Sequence, residues 1–491
     1  MLKFQRERNK LFFATLSLPS TAMGLALSVQ LSALSWILTT QFGLDVHDIG
    51  LVWAAGPIAG IFGQVIIGSL SDHAWFWNGR RRPFIIIGGT VAAISLLALP
   101  QIGVISSALG LEGIVGIALI IALTLDFAIN VGFNPTRSII ADVTPEGDER
   151  TRGFTWMQTI SGSISVGGYA IGAIFDNYVL IYTGAIAVFL FSVLPPLFIQ
   201  EPRQLITEED HEPEASSHSF KDLMLSIQPL WGFLIYDAYA MTLRLAGIKS
   251  ENFYAEIVCG ILTLFLIGRA LLRRSDVADE AEAGKREFHK VLAAHSFSWI
   301  GIHTTFVYMI VFVQQQFASL SDIDMGRSVS LSFLILNAVG AVLPLFVLEP
   351  LARRIGRVAT HTYALAIMAV AYFILYFFGE TLTAVYVLIG LVGVGWASIV
   401  SLPFAIMSQK VDVKQMGLYM GLFNLSVVLP QLTVSLGVAM AISRAPDKAS
   451  IFLISAIAIT LSAIAWTRIS EDEESPAPTS DQAAPGNAPS H

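Results

Sequence analysis

Fourteen apolar stretches follow one another along this chain, each close to the length a helix needs to cross a bilayer, and the charges are pushed into the gaps between them. A crossing takes about 20 apolar residues. The stretches fall near residues 12–38, 48–71, 83–106, 113–141, 151–175, 178–199, 228–247, 252–272, 292–318, 328–349, 358–379, 381–408, 416–442 and 449–468. They predict an all-α polytopic membrane protein. Composition agrees. Only 13% of residues are charged, against about 25% in soluble domains, and the deficit is spread along the chain rather than confined to one anchor. The opening residues, MLKFQRERNK, are basic and lead into a long apolar run with no small-residue cleavage site, so the first helix is expected to remain as an uncleaved anchor.

Charge sidedness sets the orientation. With a cytoplasmic N-terminus, of the 29 Lys and Arg residues only Arg244, Lys249, Arg327, Arg444 and Lys448 fall on the other side, as the positive-inside rule requires. Both termini are then cytoplasmic, in the inner (plasma) membrane of a bacterial-type cell. The formal charge of −8 says little about partners, because much of the acid sits in loops and ends. The stretches 228–247 and 252–272 admit two readings, a spanning pair or two amphipathic helices on the membrane surface. Losing both leaves the topology of the rest unchanged.

The loops divide the chain into a six-helix bundle at 1–200, central segments at 201–290 carrying the extra pair at 228–272, a second six-helix bundle at 291–469, and a tail at 470–491. The tail is rich in Pro, Ala, Ser and acid and lacks apolar anchors, so disorder is expected there. Residues 273–290 alternate in charge and suit a cytoplasmic helix or a linker. A weak duplication relates the halves. Asn134-Pro135, a loop and Arg152-Gly153-Phe154 in the first are echoed by Leu402-Pro403, a loop and Met416-Gly417-Leu418 in the second. Each Pro is expected to end an apolar helix and each Gly to begin the next. The basic loop Gly79-Arg80-Arg81-Arg82 recurs as Arg353-Arg354-Ile355-Gly356-Arg357. Parallel six-helix halves are the mark of one large transporter architecture.

Asp126 stands inside the apolar run Gly113–Phe133. A charge there costs about 2.5–3.5 kcal/mol on insertion scales, and such acids face a pathway or a partner, often as proton relays. Asp126 and Arg137 share a helix face, ~20° apart in azimuth, but lie ~16.5 Å apart along the axis and cannot touch on a straight helix. Pro135 between them removes a donor and kinks or ends the helix. Asn130 lies one turn from Asp126 on a similar face. This stripe suits the lining of a polar cavity. The structural alternative has Arg137 marking the cytoplasmic end and Asp126 bound to an Arg or an amide.

Gly68-Ser69-Leu70-Ser71-Asp72, followed by Gly79-Arg80-Arg81-Arg82-Pro83, resembles the cytoplasmic loop signature of the major facilitator superfamily. Gly68, Asp72, Arg80, Arg81 and Arg82 would form a conformational latch, the Asp capping a helix N-terminus and the Arg residues pairing with acids on the next helix. The resemblance extends to the plant sucrose–proton symporters and their animal and bacterial relatives. It is carried by Gln30-Leu31-Ser32, Gly56-Pro57-Ile58-Ala59-Gly60 with Gln64, Leu125-Asp126, Asn130, Pro135, Arg137, Ala141-Asp142, Ser401 to Ala405, Asn424-Leu425-Ser426 and Pro430-Gln431. It covers both halves but not residues 205–290. It implies that Asp126 takes the coupling proton, that Arg137 influences transport, and that Gln30 and Asn130 lie near the sugar path. One departure stands out. Where the plant proteins carry an acidic pair in the seventh helix, this chain reads Tyr308-Met309-Ile310-Val311 and then Gln314-Gln315-Gln316, and Asp322 and Asp324 come too late to match.

Sugars need hydrogen-bonding groups and flat apolar surfaces. Gln30, Gln64, Asn130, Gln158, Asn337, Asn424 and Gln431 supply the first within apolar helices, although helix–helix hydrogen bonds are the ordinary use of such amides. Trp36, Trp53, Trp156, Trp299 and Trp396 offer the second, beside the ordinary reading of interfacial anchors. His303 is either a titrating group or a packing residue. Arg244 would pair with Glu256 if the extra helices span. The lone cysteine, Cys259, permits neither an intramolecular disulfide nor a cysteine-based metal site. No phosphate loop, nucleophile elbow or metal cluster stands out, so no enzyme, cofactor or nucleic-acid partner is expected. The expectation is a monomeric, proton-coupled symporter of a glucosyl disaccharide such as sucrose or maltose, working in the lipid bilayer by alternating access. A proton-driven exporter of another small molecule and a non-transporting nutrient sensor are the rival readings.

Overall fold

The computed structural model describes residues 3–61, 75–110, 113–145, 148–202, 220–246, 248, 252–274, 279–411 and 416–471. Among them there is no β-strand, only an isolated bridge between Phe76 and Gly79. The first half comprises α1 (Lys10–Thr40), α2 (Val46–Ile61), α3 (Arg82–Leu109), α4 (Ile114–Val143), α5 (Asp148–Ile174) and α6 (Asn177–Phe198). A hairpin of α7 (Trp231–Leu245) and α8 (Tyr254–Leu272) follows. The second half comprises α9 (Glu280–Gln316), α10 (Asp322–Ile355), α11 (Arg357–Phe378), α12 (Leu382–Gln409), α13 (Leu418–Arg444) and α14 (Ser450–Trp466).

Ten helices among the described residues are long and apolar enough to cross a membrane; α2 and α14 are shorter apolar helices. α5 is more polar because it opens with Asp148, Glu149, Arg150 and Arg152, and α7 carries Asp237 and Arg244. The starts are set by side-chain caps that satisfy otherwise orphaned amides. Asn9 accepts from the Phe12 amide at 3.0 Å, Asp45 from Asp48 at 2.9 Å, Asp176 from Val179 at 2.7 Å and Ser321 from Asp324 at 3.1 Å. α3 stops at Gly110, whose φ of 64° takes the left-handed turn that a side chain would resist.

The halves repeat one packing scheme. α1 packs on α5 and α6, and α3 on α4 and α6; likewise α9 packs on α13 and α14, and α11 on α12 and α14. Among the described residues the halves meet along α5 against α10 and α2 against α13, and α1 also touches α9 and α10. The α7–α8 hairpin packs on α9 and α13, so it belongs to the second half.

A second repeat lies at the face that carries the termini. In the first half the Gln5 side chain clasps the backbone of Gln200, donating to its carbonyl at 2.8 Å and accepting from its amide at 3.0 Å. The next residue, Glu201, accepts from the backbone amides of Arg80, Arg81 and Arg82, each at 2.8 Å, and so caps α3. In the second half Glu287 accepts from the Ser470 amide at 3.0 Å, and Glu471 accepts from the amides of Arg357 and Val358 at 2.6 and 2.9 Å, capping α11. A carboxylate at a helix N-terminus gains both hydrogen bonds and the favourable dipole.

Three expectations are corrected. Pro135 and Pro403 end no helix; they lie inside α4 and α12. Each proline forfeits only its own amide, so a single carbonyl, that of Val131 or Ile399, lacks its usual i+4 donor while the rest of the ladder carries the helix on. The expected disordered tail begins too early, because Ser470 and Glu471 are held by backbone hydrogen bonds; residues 472–491 lie outside the described residues. Arg244 makes no ion pair with Glu256 among the described residues. Glu256 instead accepts from the Tyr236 hydroxyl at 3.0 Å.

Candidate transport site

α1 carries Gln30 to the middle of the first half, where α2 and α4 meet it. Its side-chain amide donates to Asp126 Oδ2 at 3.0 Å, and Asp126 is only 6% exposed. The wall facing the carboxylate is Gly56 of α2. A methyl group there would lie 3.5 Å from Asp126 Oδ1, in ordinary contact with the carboxyl. Asn130 donates to the Asp126 backbone carbonyl at 2.8 Å and so braces the same turn of α4. Arg137 lies further toward the termini, exposed, with its guanidinium 5.4 Å from the Phe133 ring centre. No carboxylate among the described residues is within ion-pair reach of it. The structure thus brings Asp126, Gln30 and Asn130 together and leaves Arg137 apart, as their axial separation requires.

The other amides fall elsewhere. Gln158 on α5 is exposed, while Asn424 and Gln431 on α13 are half-buried. Asn337 on α10 accepts from the Trp396 indole at 3.2 Å. Trp396 stands edge-on to Trp299 and to Phe306, at 6.1 and 5.2 Å between ring centres, and Trp299 donates to His295 at 2.9 Å. Both tryptophans are only partly buried. The first half therefore contributes an acid and amides, and the second contributes an aromatic platform with one amide at its edge. Trp156 packs instead with the cluster of Phe12 and Phe13 at the terminal face. Gln64, Gly68 and Asp72 lie outside the described residues.

Of the latch residues, Arg81 is buried and meets Asp142 at the end of α4, Nε to Oδ2, at 3.1 Å. The backbone amides of Arg80, Arg81 and Arg82 are taken by Glu201, just past the end of α6.

Away from the termini the halves are sewn shut. The Trp36 indole donates to the Asp322 carbonyl at 2.7 Å, and Ser35 donates to the Val307 carbonyl at 2.8 Å while accepting from the Trp53 indole at 2.7 Å. Asn177 donates to the Ser32 carbonyl at 3.1 Å and accepts from Ser330 at 2.7 Å, Arg327 reaches the Phe175 carbonyl at 2.5 Å, and Ser443 meets His47 at 3.0 Å. His303 is buried edge-on to Trp53 with its Nε2 unpartnered. Backbones touch at Gly50, where an added methyl would run into the Ser435 carbonyl oxygen. Toward the termini, by contrast, Arg137, Gln158, Phe404 and Met420 are exposed. Among the described residues, hydrogen bonds thus join the halves on the face away from the termini. Ser35 and Asn177 were missed in the sequence, since short polar residues in apolar helices give no signal until the partner backbone is known.

Comparison with known proteins gives the same architecture. Solved structures aligned over nearly the whole chain include the POT family transporter PepTSo (13% identity, TM-score 0.64, 94% of this chain and 98% of that one). A bacterial homologue of the human lysosomal transporter Spinster, solved in an inward-facing and unoccupied conformation, aligns at 12% identity and TM-score 0.60, over 97% of this chain and 100% of that one. These show the fold alone. Curated relatives include the sucrose transport protein SUC4 of Arabidopsis thaliana (31% identical, 29% of each chain) and the general alpha-glucoside permease of Schizosaccharomyces pombe (27% identical, 44% of this chain and 41% of that one). Solute carrier family 45 member 4 of Mus musculus is 28% identical over 35% of this chain and 24% of that protein. The chain spans less than half the length of each of these three relatives. The model of the Major Facilitator Superfamily matches residues 16–433, most of the chain in a single alignment, and this multi-pass membrane protein therefore belongs to that superfamily.

Proposed function

We propose that the protein is a proton-coupled sugar symporter for a glucosyl disaccharide such as sucrose or maltose, acting as a monomer in the inner (plasma) membrane with both termini cytoplasmic. The observation that carries the reading is the buried Asp126 carboxyl, held by one neutral amide from Gln30 and fronted by Gly56. A carboxyl with no cation beside it is free to take and release a proton, and an intramembrane acid on a pathway is a functional residue by default. The likeness to sucrose and alpha-glucoside carriers supports the substrate class. The amides and the Trp299–Trp396 platform supply what a sugar needs, hydrogen bonds to its hydroxyls and a flat apolar face.

In this reading the described conformation opens to the cytoplasm. Protonation of Asp126 from outside weakens its tie to Gln30 and frees the cavity to accept sugar. Loaded halves rock about the midplane, the seams around Trp36 and Gly50 close, and proton and sugar leave inward. Arg137 and Gln158 line the exit, and the Arg81–Asp142 and Glu201 contacts brace it. One charge crossing 100 mV yields about 2.3 kcal/mol, enough for roughly fifty-fold accumulation, and each pH unit adds roughly tenfold.

The test is uptake of labelled mono- and disaccharides into proteoliposomes under acid-outside or sodium gradients. Asp126→Asn is expected to abolish proton-driven accumulation while leaving sugar exchange. Full accumulation by that variant, or accumulation driven by sodium alone, overturns the assignment.

A further inference from the structure

The α7–α8 hairpin has no counterpart in the repeat of the two halves. Its terminal-face corner carries three adjoining hollows. A groove of about 760 Å³ runs along the last turns of α8, walled by Leu264, Phe265 and Leu272 and ending at Arg269 and Arg273. A small recess shares those two arginines and adds Arg286 and His289. It leads to a cavity of about 940 Å³ between the segment before α7, the start of α9 and the end of α12, where Arg273, Arg286 and His289 are joined by Lys285 and Lys410.

Among the described residues the walls hold five cations and two acids, Asp222 and Glu282. Glu282 is shared between two guanidiniums, Arg286 at 2.9 Å and Arg273 at 3.5 Å. Arg269 donates to the neutral Gln228 amide oxygen at 2.5 Å, with no ion pair among the described residues. Lys410 is turned toward the Ser470 carbonyl at 2.8 Å. The outward face of α8 above the arginines is apolar and exposed, Phe265 by 62% and Leu272 by 75%. Flanking arginines that merely obey membrane sidedness need no cavity behind them; here they stand at the junction of an apolar groove and a polar chamber.

We propose that this corner binds an anionic phospholipid, with an acyl chain along Leu264, Phe265 and Leu272 and the phosphate between Arg269, Arg273 and Arg286. Basic pockets at the end of membrane helices suit such headgroups. The hairpin packs on α9 and α13, so a lipid seated here bears on the second half. The proposal does not depend on which solute is carried.

The experiment is native mass spectrometry of the full-length protein from mixed micelles of phosphatidylglycerol and phosphatidylcholine. Phosphatidylglycerol is expected to be retained in strong preference. In the variant Arg269→Gln/Arg273→Gln that retention falls roughly thirty-fold, the effect of two near-surface charges, while Arg269→Lys/Arg273→Lys keeps most of it. Elution as one folded species checks each variant. Equal retention of the two lipids, or undiminished phosphatidylglycerol on the glutamine variant, overturns the proposal. So does displacement of the lipid by millimolar inorganic phosphate, which would make the chamber a site for a soluble anion.

Discussion

Gly50→Ala tests whether the seam between α2 and α13 is a gate. The added methyl would overlap the Ser435 carbonyl oxygen and stand 2.7 Å from the Tyr308 hydroxyl and 3.2 Å from Ala439 Cβ. The nearest obstacle is backbone, so it cannot swing away like a long side chain. Overpacking of this kind costs about 1–3 kcal/mol. Alanine also favours a helix over glycine by about 1 kcal/mol, but α2 is helical in either state, so that gain cancels. The clash exists only while the seam is shut. The ratio of closed to open seams should therefore fall roughly 5- to 150-fold. The assay is a spin-label distance between Leu109→Cys and Glu380→Cys, which sit where α3 ends and before α12 begins on the same face, in a Cys259→Ser background that removes the single native cysteine. The distribution should gain a longer component and sugar uptake should slow. An unchanged distribution with full uptake would refute the idea that these backbones meet at a gate.

The terminal face offers two more. Arg81→Gln leaves Asp142 buried without its ion pair, at a cost of about 3–5 kcal/mol, and Arg81→Gln/Asp142→Asn should recover much of it; a double variant no more heat-stable than the single would sink the pairing. Glu201→Gln turns an amide –NH₂ toward backbone donors and should lower the unfolding temperature more than Glu471→Gln, because Glu201 caps three amides and Glu471 two. Equal shifts in the two variants would contradict the capping argument.

The helices were legible because lipid imposes a length and an apolar composition that a sequence displays directly, and even the polar α5 and the short α7 appear where the apolar runs predict them. Proline was read too literally. In water it ends helices, but in an apolar bundle the loss of one backbone donor does not break the remaining ladder, and α4 and α12 run on. Asp126 announced itself by being expensive. Its bond to Gln30 spans 96 residues, and no periodicity within one helix can reveal a contact between two; only the family likeness put both residues on the same path. Glu201 and Glu471 were hidden for a related reason. Each follows the last helix of its half and caps the third, so its role exists only once the bundle has closed, and in the sequence it is one acid among several in a polar loop.

Between the hairpin and the start of α2 lies a hollow of about 350 Å³, bounded on one side by Asp45, His47 and Asp48 and on the other by Tyr236, Arg244 and Glu256. In the proposed rocking cycle the hairpin rides on the second half, so the walls of this hollow belong to bodies that separate and rejoin. At about 30 Å³ per molecule it holds roughly a dozen waters. In that cycle each stroke would fill and drain this hollow like a bellows, so that the rocking would carry a volume change as well as a rotation.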